Sequence, residues 1–212
     1  MDLITGSTGG LAIVGMSVGN GYFKRSKIDE LLNYASENYD PVSVMITDKP
    51  AIHTYLAVGY SEKEAKRKAR LNGNTLRNHC NNTIDSLVRN NTRIIDWDED
   101  IFSQECYVEE YGKIKNLYEQ DPFFREDARE TTHAVLQRKI ELRKTEIELD
   151  VAIDEGVEYL LEELAFLLIS PRLFGVDKVK YIYYRKWPIF NRLISGNYAI
   201  KKRTDLECVI VR

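Results

Sequence analysis

The stretch that most constrains this chain is residues 11–23, LAIVGMSVGNGYF. Leu11, Ala12, Ile13 and Val14 are small and apolar, as in a strand buried on both faces. Gly15, Ser17, Gly19, Asn20 and Gly21 follow, and such residues do not extend a strand comfortably. A buried strand that opens into a turn of this kind, and then a helix, is how an open α/β sheet makes a ligand crevice at the carboxyl ends of its strands. Ser17 is expected at that mouth. Glycines there let the backbone approach a bound group, and successive N–H groups in such a turn can hold an oxyanion. Ser17 is therefore a candidate nucleophile, with a phosphate-binding or purely turning loop as the plainer alternative. Gly15, Gly19 and Gly21 do not have the G-x-G-x-x-G spacing, and no Gly-Lys-Ser/Thr follows as in a P-loop. Gly15-Met16-Ser17-Val18-Gly19 does match G-x-S-x-G in its letters, which keeps a serine hydrolase in play.

Further strands are expected at 11–16, 42–47, 93–96, 179–184 and 208–211. Helices are expected at 27–38, 51–58, 98–119, 121–139, 157–169 and 188–195. Ser61 and Glu64 form a capping box that opens another helix, reaching 88 or 89 with a possible break near Asn72-Gly73-Asn74. Ser170-Pro171 is read as the stop of the helix over 157–169, and 141–156 is either a helix extension or a loop. Strands alternating with helices predict an α/β domain with a mostly parallel sheet and helices on both sides. With 212 residues and 43% apolar content, one full core is expected over 11–212, after a flexible leader at 1–10.

Cys80, Cys106 and Cys208 are odd in number and form no C-x-x-C pair, so neither a disulfide framework nor a metal site is indicated. The opening residues lack the basic-then-apolar pattern of a secretory signal. No apolar run approaches the ~20 residues of a membrane helix. A cytoplasmic protein without membrane contact is expected. The net charge of −3 gives no global attraction to nucleic acid.

Against that background one segment stands out. Residues 61–90 hold seven Lys or Arg against three Asp or Glu. Lys63, Lys66, Arg67, Arg70 and Arg77 fall at offsets of 3, 4, 7 and 14, which share one helix face. This face is either a phosphate-backbone track or a solvated surface. In 157–169, Tyr159 and Glu163 are four apart and project together from a helix rich in leucine. A carboxylate there is desolvated unless a cation meets it; a substrate ammonium fits, and a rim glutamate is the alternative. In Tyr181-Ile182-Tyr183-Tyr184, alternation sends Tyr181 and Tyr183 to one side, where one of them can shuttle a proton or simply pack. His53, His79 and His133 all precede the last strands, so none can be the late base of a hydrolase triad. If Ser17 acts, its substrate arrives activated. An aminoacyl ester of tRNA is such a substrate, with an amine for the glutamate and a polyanion for the basic helix.

These residues resemble the cyclodipeptide synthases over nearly the whole chain. Residues 15–23 look like that family's nucleophile motif, and Tyr159 to Glu163 looks like its Tyr-x-x-x-Glu motif, which selects Glu163 over Glu162. The resemblance implies a Rossmann-like fold similar to the catalytic domain of class I aminoacyl-tRNA synthetases, without their ATP-binding signatures and with no cofactor. It implies a monomeric enzyme that uses two aminoacyl-tRNAs and releases a cyclic dipeptide, a diketopiperazine. Ser17 would carry the acyl group, Tyr159 and Glu163 would anchor its amine, and Asn20, with Gly15 beside it, would help to position it. Lys63, Lys66, Arg67, Arg70 and Arg77 would bind tRNA. Counting from Glu163 places the family's late tyrosine at Tyr183; Tyr184 follows where the family usually has His or Pro, which leaves either tyrosine open. A non-catalytic tRNA-binding relic of a synthetase is the rival reading.

Overall fold

β1 (Leu11–Met16) is buried along its whole length, as its run of small apolar residues requires. The computed structural model describes residues 10–87, 91–143 and 146–211; the expected leader, save Gly10, lies outside them. The remaining elements are α1 (Arg25–Asn38), β2 (Val42–Ile46), α2 (Ala51–Ala57), α3 (Glu62–Ile84), β3 (Thr92–Ile95), α4 (Glu105–Gln120), α5 (Pro122–Arg143), α6 (Leu149–Phe174), β4 (Val179–Tyr183), α7 (Pro188–Ser195) and β5 (Leu206–Ile210). The sheet runs β3-β2-β1-β4-β5, and every neighbouring pair is parallel. β1 therefore sits at the centre. The strand order reverses between β1 and β4, which opens a crevice beyond their carboxyl ends. α6 lies in the core, with Val157, Leu160, Leu164, Phe166 and Leu167 buried.

Four expectations are corrected. α3 ends at Ile84 and passes into a turn at 85–86, short of the expected 88 or 89. α3 runs through Asn72-Gly73-Asn74 without a break. Gly73 is there because Asp48 packs against it: a Cβ at Gly73 would stand 2.5 Å from the Asp48 Cβ. Ser170-Pro171 does not stop α6, which continues to Phe174. Pro171 has no N–H to donate to the Leu167 carbonyl, and the Ser170 hydroxyl takes that acceptor instead at 2.7 Å. The stop comes at Gly175, in the left-handed conformation with φ +62°. The helix expected over 98–119 is two pieces: a short π-helical segment, Trp97–Phe102, and then α4. Trp97 is fixed by its indole N–H, which donates to the Ile46 carbonyl at 2.8 Å at the end of β2.

Candidate active site

Ser17 is the first residue past β1, and two contacts hold it in place. The Met16 carbonyl before it accepts from the Thr47 N–H at 3.1 Å and from the Thr47 hydroxyl at 3.4 Å. The turn after it closes where the Asn20 N–H donates to the Ser17 carbonyl at 3.3 Å. Gly19, between them, has φ +71°, a conformation open to glycine at little cost. The Ser17 hydroxyl is half-buried and lies 2.9 Å from the Tyr183 hydroxyl, at the end of β4. Its partner is thus a tyrosine rather than a histidine.

α6 supplies the other wall. The Tyr159 hydroxyl shares a hydrogen bond of 2.8 Å with the Thr47 hydroxyl. Glu163 is only 5% exposed. Burial pushes its carboxyl up to about 7, against hydrogen bonds from Tyr181 and Tyr159 and the charge of Arg185, which favour the ionised form. Burial likewise raises the Tyr159, Tyr181 and Tyr183 hydroxyls above their usual range, and the Glu163 charge adds to it, so all three stay protonated. Ser17 and Glu163 are thus each hydrogen-bonded to a tyrosine of β4, Tyr183 and Tyr181, whose rings pack on one another.

Glu162, next in sequence, faces elsewhere. His53 on α2 bridges Glu155 Oε1 at 2.9 Å and Glu162 Oε1 at 3.5 Å. Burial opposes the imidazolium, but hydrogen bonds to Glu162 and Glu155 carry it up to about 9. That bridge occupies Glu162 and leaves Glu163 to the crevice.

Two residues of this site are not singled out by the sequence. The Tyr181 hydroxyl donates to Glu163 Oε1 at 3.2 Å, and its ring packs flush on Gly15, where a Cβ would stand 1.9 Å from its oxygen. Alternation along the strand had put Tyr181 and Tyr183 on one side, and their rings do stack at 5.9 Å; what the sequence lacks is the β1–β4 register, Ile13 opposite Tyr181, that brings the phenol to Gly15. Thr47 is the other, and it reads in sequence only as the end of a strand. The two late tyrosines divide the loop between them. Tyr183 takes Ser17, while Tyr184 accepts from Asn20 Nδ2 at 2.8 Å and stacks on Tyr22 with centroids 3.9 Å apart.

On α3, Lys63, Lys66, Arg67 and Arg70 are exposed, and Lys66 is ion-paired with Glu62. Arg77 stands apart from that ridge. It is half-buried and ion-paired with Asp48 at 2.8 Å, because its place one turn past Gly73 turns it toward the end of β2. Among the described residues no group of His, Cys, Asp and Glu has the geometry of a metal site, and no helix is long and apolar enough to cross a membrane.

A parallel sheet whose central strand ends in a serine, facing a buried carboxylate on a core helix, defines a Rossmann-like domain with a serine–carboxylate site. The family model for cyclodipeptide synthase matches residues 6–212. The chain belongs to the cyclodipeptide synthase family, enzymes that make cyclic dipeptides. It is 27% identical over 203 residues to a cyclo(L-tyrosyl-L-tyrosyl) synthase of Mycobacterium tuberculosis, covering 94% of this chain and 69% of that one. It is 22% identical over 200 residues to a cyclo(L-leucyl-L-leucyl) synthase of Staphylococcus haemolyticus, covering 94% and 86%. Solved structures share the fold. A Mycobacterium tuberculosis protein described as demonstrating that cyclodipeptide synthetases are related to type I tRNA synthetases superposes with a TM-score of 0.78, at 23% identity, over 95% of this chain and 85% of that one. A cyclodipeptide synthase of Candidatus Glomeribacter gigasporarum, bound to Phe-tRNAPhe, superposes with a TM-score of 0.65, at 18% identity, over 95% and 88%.

Proposed function

We propose that this protein joins two amino acids, each delivered by an aminoacyl-tRNA, through acyl esters on Ser17. The observation that carries the reading is that Ser17 and the buried Glu163 are each hydrogen-bonded to one of two stacked tyrosines of β4, Tyr183 and Tyr181. In the first step the Ser17 oxygen bonds to the ester carbonyl and the ribose oxygen leaves. The serine proton passes to Tyr183, whose own proton goes to the departing oxygen. Glu163 and Tyr159 hold the α-ammonium of the bound residue. A free α-amino group titrates near 8, so it can lose its proton toward Glu163. The amine then attacks the second aminoacyl-tRNA and releases a second tRNA, leaving a dipeptidyl ester on Ser17. The new terminal amine attacks that ester, closes the ring and returns the proton to Ser17. The sequence is ping-pong and needs no ATP, because both esters arrive activated.

Lys63, Lys66, Arg67 and Arg70 give α3 the charge to track a phosphate backbone, and Asn20 and Gly15 shape the acyl site. Arg77 serves Asp48 rather than the RNA. A monomer working in the cytoplasm, where charged tRNA resides, suits this chemistry. Intact-mass measurement after mixing the protein with charged tRNA tests it. An adduct of one aminoacyl group is expected, absent in Ser17→Ala; tRNA binding with no adduct in the unaltered protein would leave only a tRNA-binding relic.

A further inference from the structure

Three helices converge on Gly19, two residues past Ser17. α5 contributes Lys139, whose ammonium donates to the Gly19 carbonyl at 3.3 Å. α2 contributes Tyr55, whose hydroxyl would stand 3.2 Å from a Cβ at Gly19, with Lys139 Nζ at 3.6 Å. α3 contributes Asn72, which donates to that hydroxyl at 2.6 Å. Lys139 is half-buried; burial lowers its pKa, and among the described residues no carboxylate pairs with it. One helical turn on, Arg143 stacks over the Tyr60 ring, 3.3 Å from its centroid, and Lys68 lies over the same ring at 4.7 Å. The rim of the crevice on this side is cationic. A partly desolvated ammonium that meets only a carbonyl among the described residues is costly in the free protein and is completed by a bound anion.

The geometry says which anion. Ser17 is half-buried and Gly19 is exposed, and two residues of chain span at most about 7 Å. An aminoacyl ester sits on the 3′-terminal ribose of its carrier. With the ester carbonyl against Ser17, that ribose fills the mouth and its own phosphodiester falls beside Gly19. We propose that Lys139 is a phosphate-binding residue of the acyl-donor site: fixed by the Gly19 carbonyl, it takes the terminal phosphodiester of the aminoacyl-tRNA and so sets the ester over Ser17. This rests on the aminoacyl-tRNA reading above. It is distinct from the α3 ridge, because Lys139 comes from α5 and touches the nucleophile loop itself.

Lys139→Met and Lys139→Arg test it, with uncharged tRNA as the probe and binding measured across a salt series. Losing one contact to a single-stranded end lowers the slope of log affinity against log salt by about 0.7. Binding weakens about tenfold, the size of one charge-assisted hydrogen bond. KM for aminoacyl-tRNA rises in step while kcat changes less, and Lys139→Arg restores slope and KM. A folded Lys139→Met with the unaltered protein's slope and KM would overturn the assignment. Should that variant melt early, Lys139→Gln, which keeps an N–H for Gly19 but no charge, is put through the same test and carries the same two outcomes. An unaltered protein that binds no tRNA overturns the aminoacyl-tRNA reading itself, whereas normal binding with an unmoved slope in the variant overturns only the role of Lys139.

Discussion

Under the proposed chemistry, Glu163 is the residue on which the acid–base behaviour turns. Its carboxyl, pushed up to about 7 by burial, is half protonated near neutral pH in the free protein. Only the ionised form can hold an ammonium, so kcat/KM should fall as pH drops through about 7. The same displacement costs folding stability as pH rises from the ordinary carboxylate range to about 7, because the folded state holds the proton more tightly. Tyr181→Phe removes a hydrogen bond that favours the ionised form, and such a bond to a charge is worth about 1.5–3 kcal/mol. The acid limb of the pH–rate profile should therefore move up by about one pH unit or more; a limb that stays in place would remove Tyr181 from the site. At this scale the sequence was informative for Ser17, Tyr159 and Glu163, whose neighbours in the chain carry the pattern. It did not single out Tyr181 from its neighbours and was silent on Thr47, because their roles depend on which residue of another strand or helix stands opposite.

Helix ends and interruptions were the hardest features to read, and each failure has a local cause. Gly73 marks a close approach rather than a hinge, and Pro171 is tolerated because Ser170 takes over the acceptor it leaves. Neither a packing partner nor a compensating hydroxyl shows in a propensity pattern. The contact at Gly73 also explains Arg77. Asp48 is 7% exposed, and burial pushes its carboxyl up while Arg77 pulls it back. Removing one partner of a buried pair leaves an uncompensated charge, at about 3–5 kcal/mol. Arg77 is about a quarter exposed, so Arg77→Met should cost about 3 kcal/mol, read by urea denaturation. Adding Asp48→Asn should recover most of the loss; no recovery would mean that Arg77 acts by some contact other than Asp48.

Across the whole molecule, alternation of strands and helices was enough to anticipate the parallel sheet, since buried strands read as continuous apolar runs. The order β3-β2-β1-β4-β5 was not readable, because nothing local says that β4 returns to the far side of β1. Charge is also a property of the whole: a net −3 chain presents Lys63, Arg67 and Arg70 on one exposed helix. Reversing Arg67 and Arg70 together to Glu should leave the melting temperature nearly unchanged but weaken tRNA binding steeply at low salt. Unaltered affinity would assign that ridge to solvent. The return of β4 to the centre of the sheet has one more consequence. A chain emerging from the ribosome carries Ser17 well before Glu163 and Tyr183, which follow it by 146 and 166 residues. Under the proposed chemistry the growing chain is inert among the charged tRNAs that surround its own synthesis, and it becomes a catalyst only once α6 and β4 have joined the sheet.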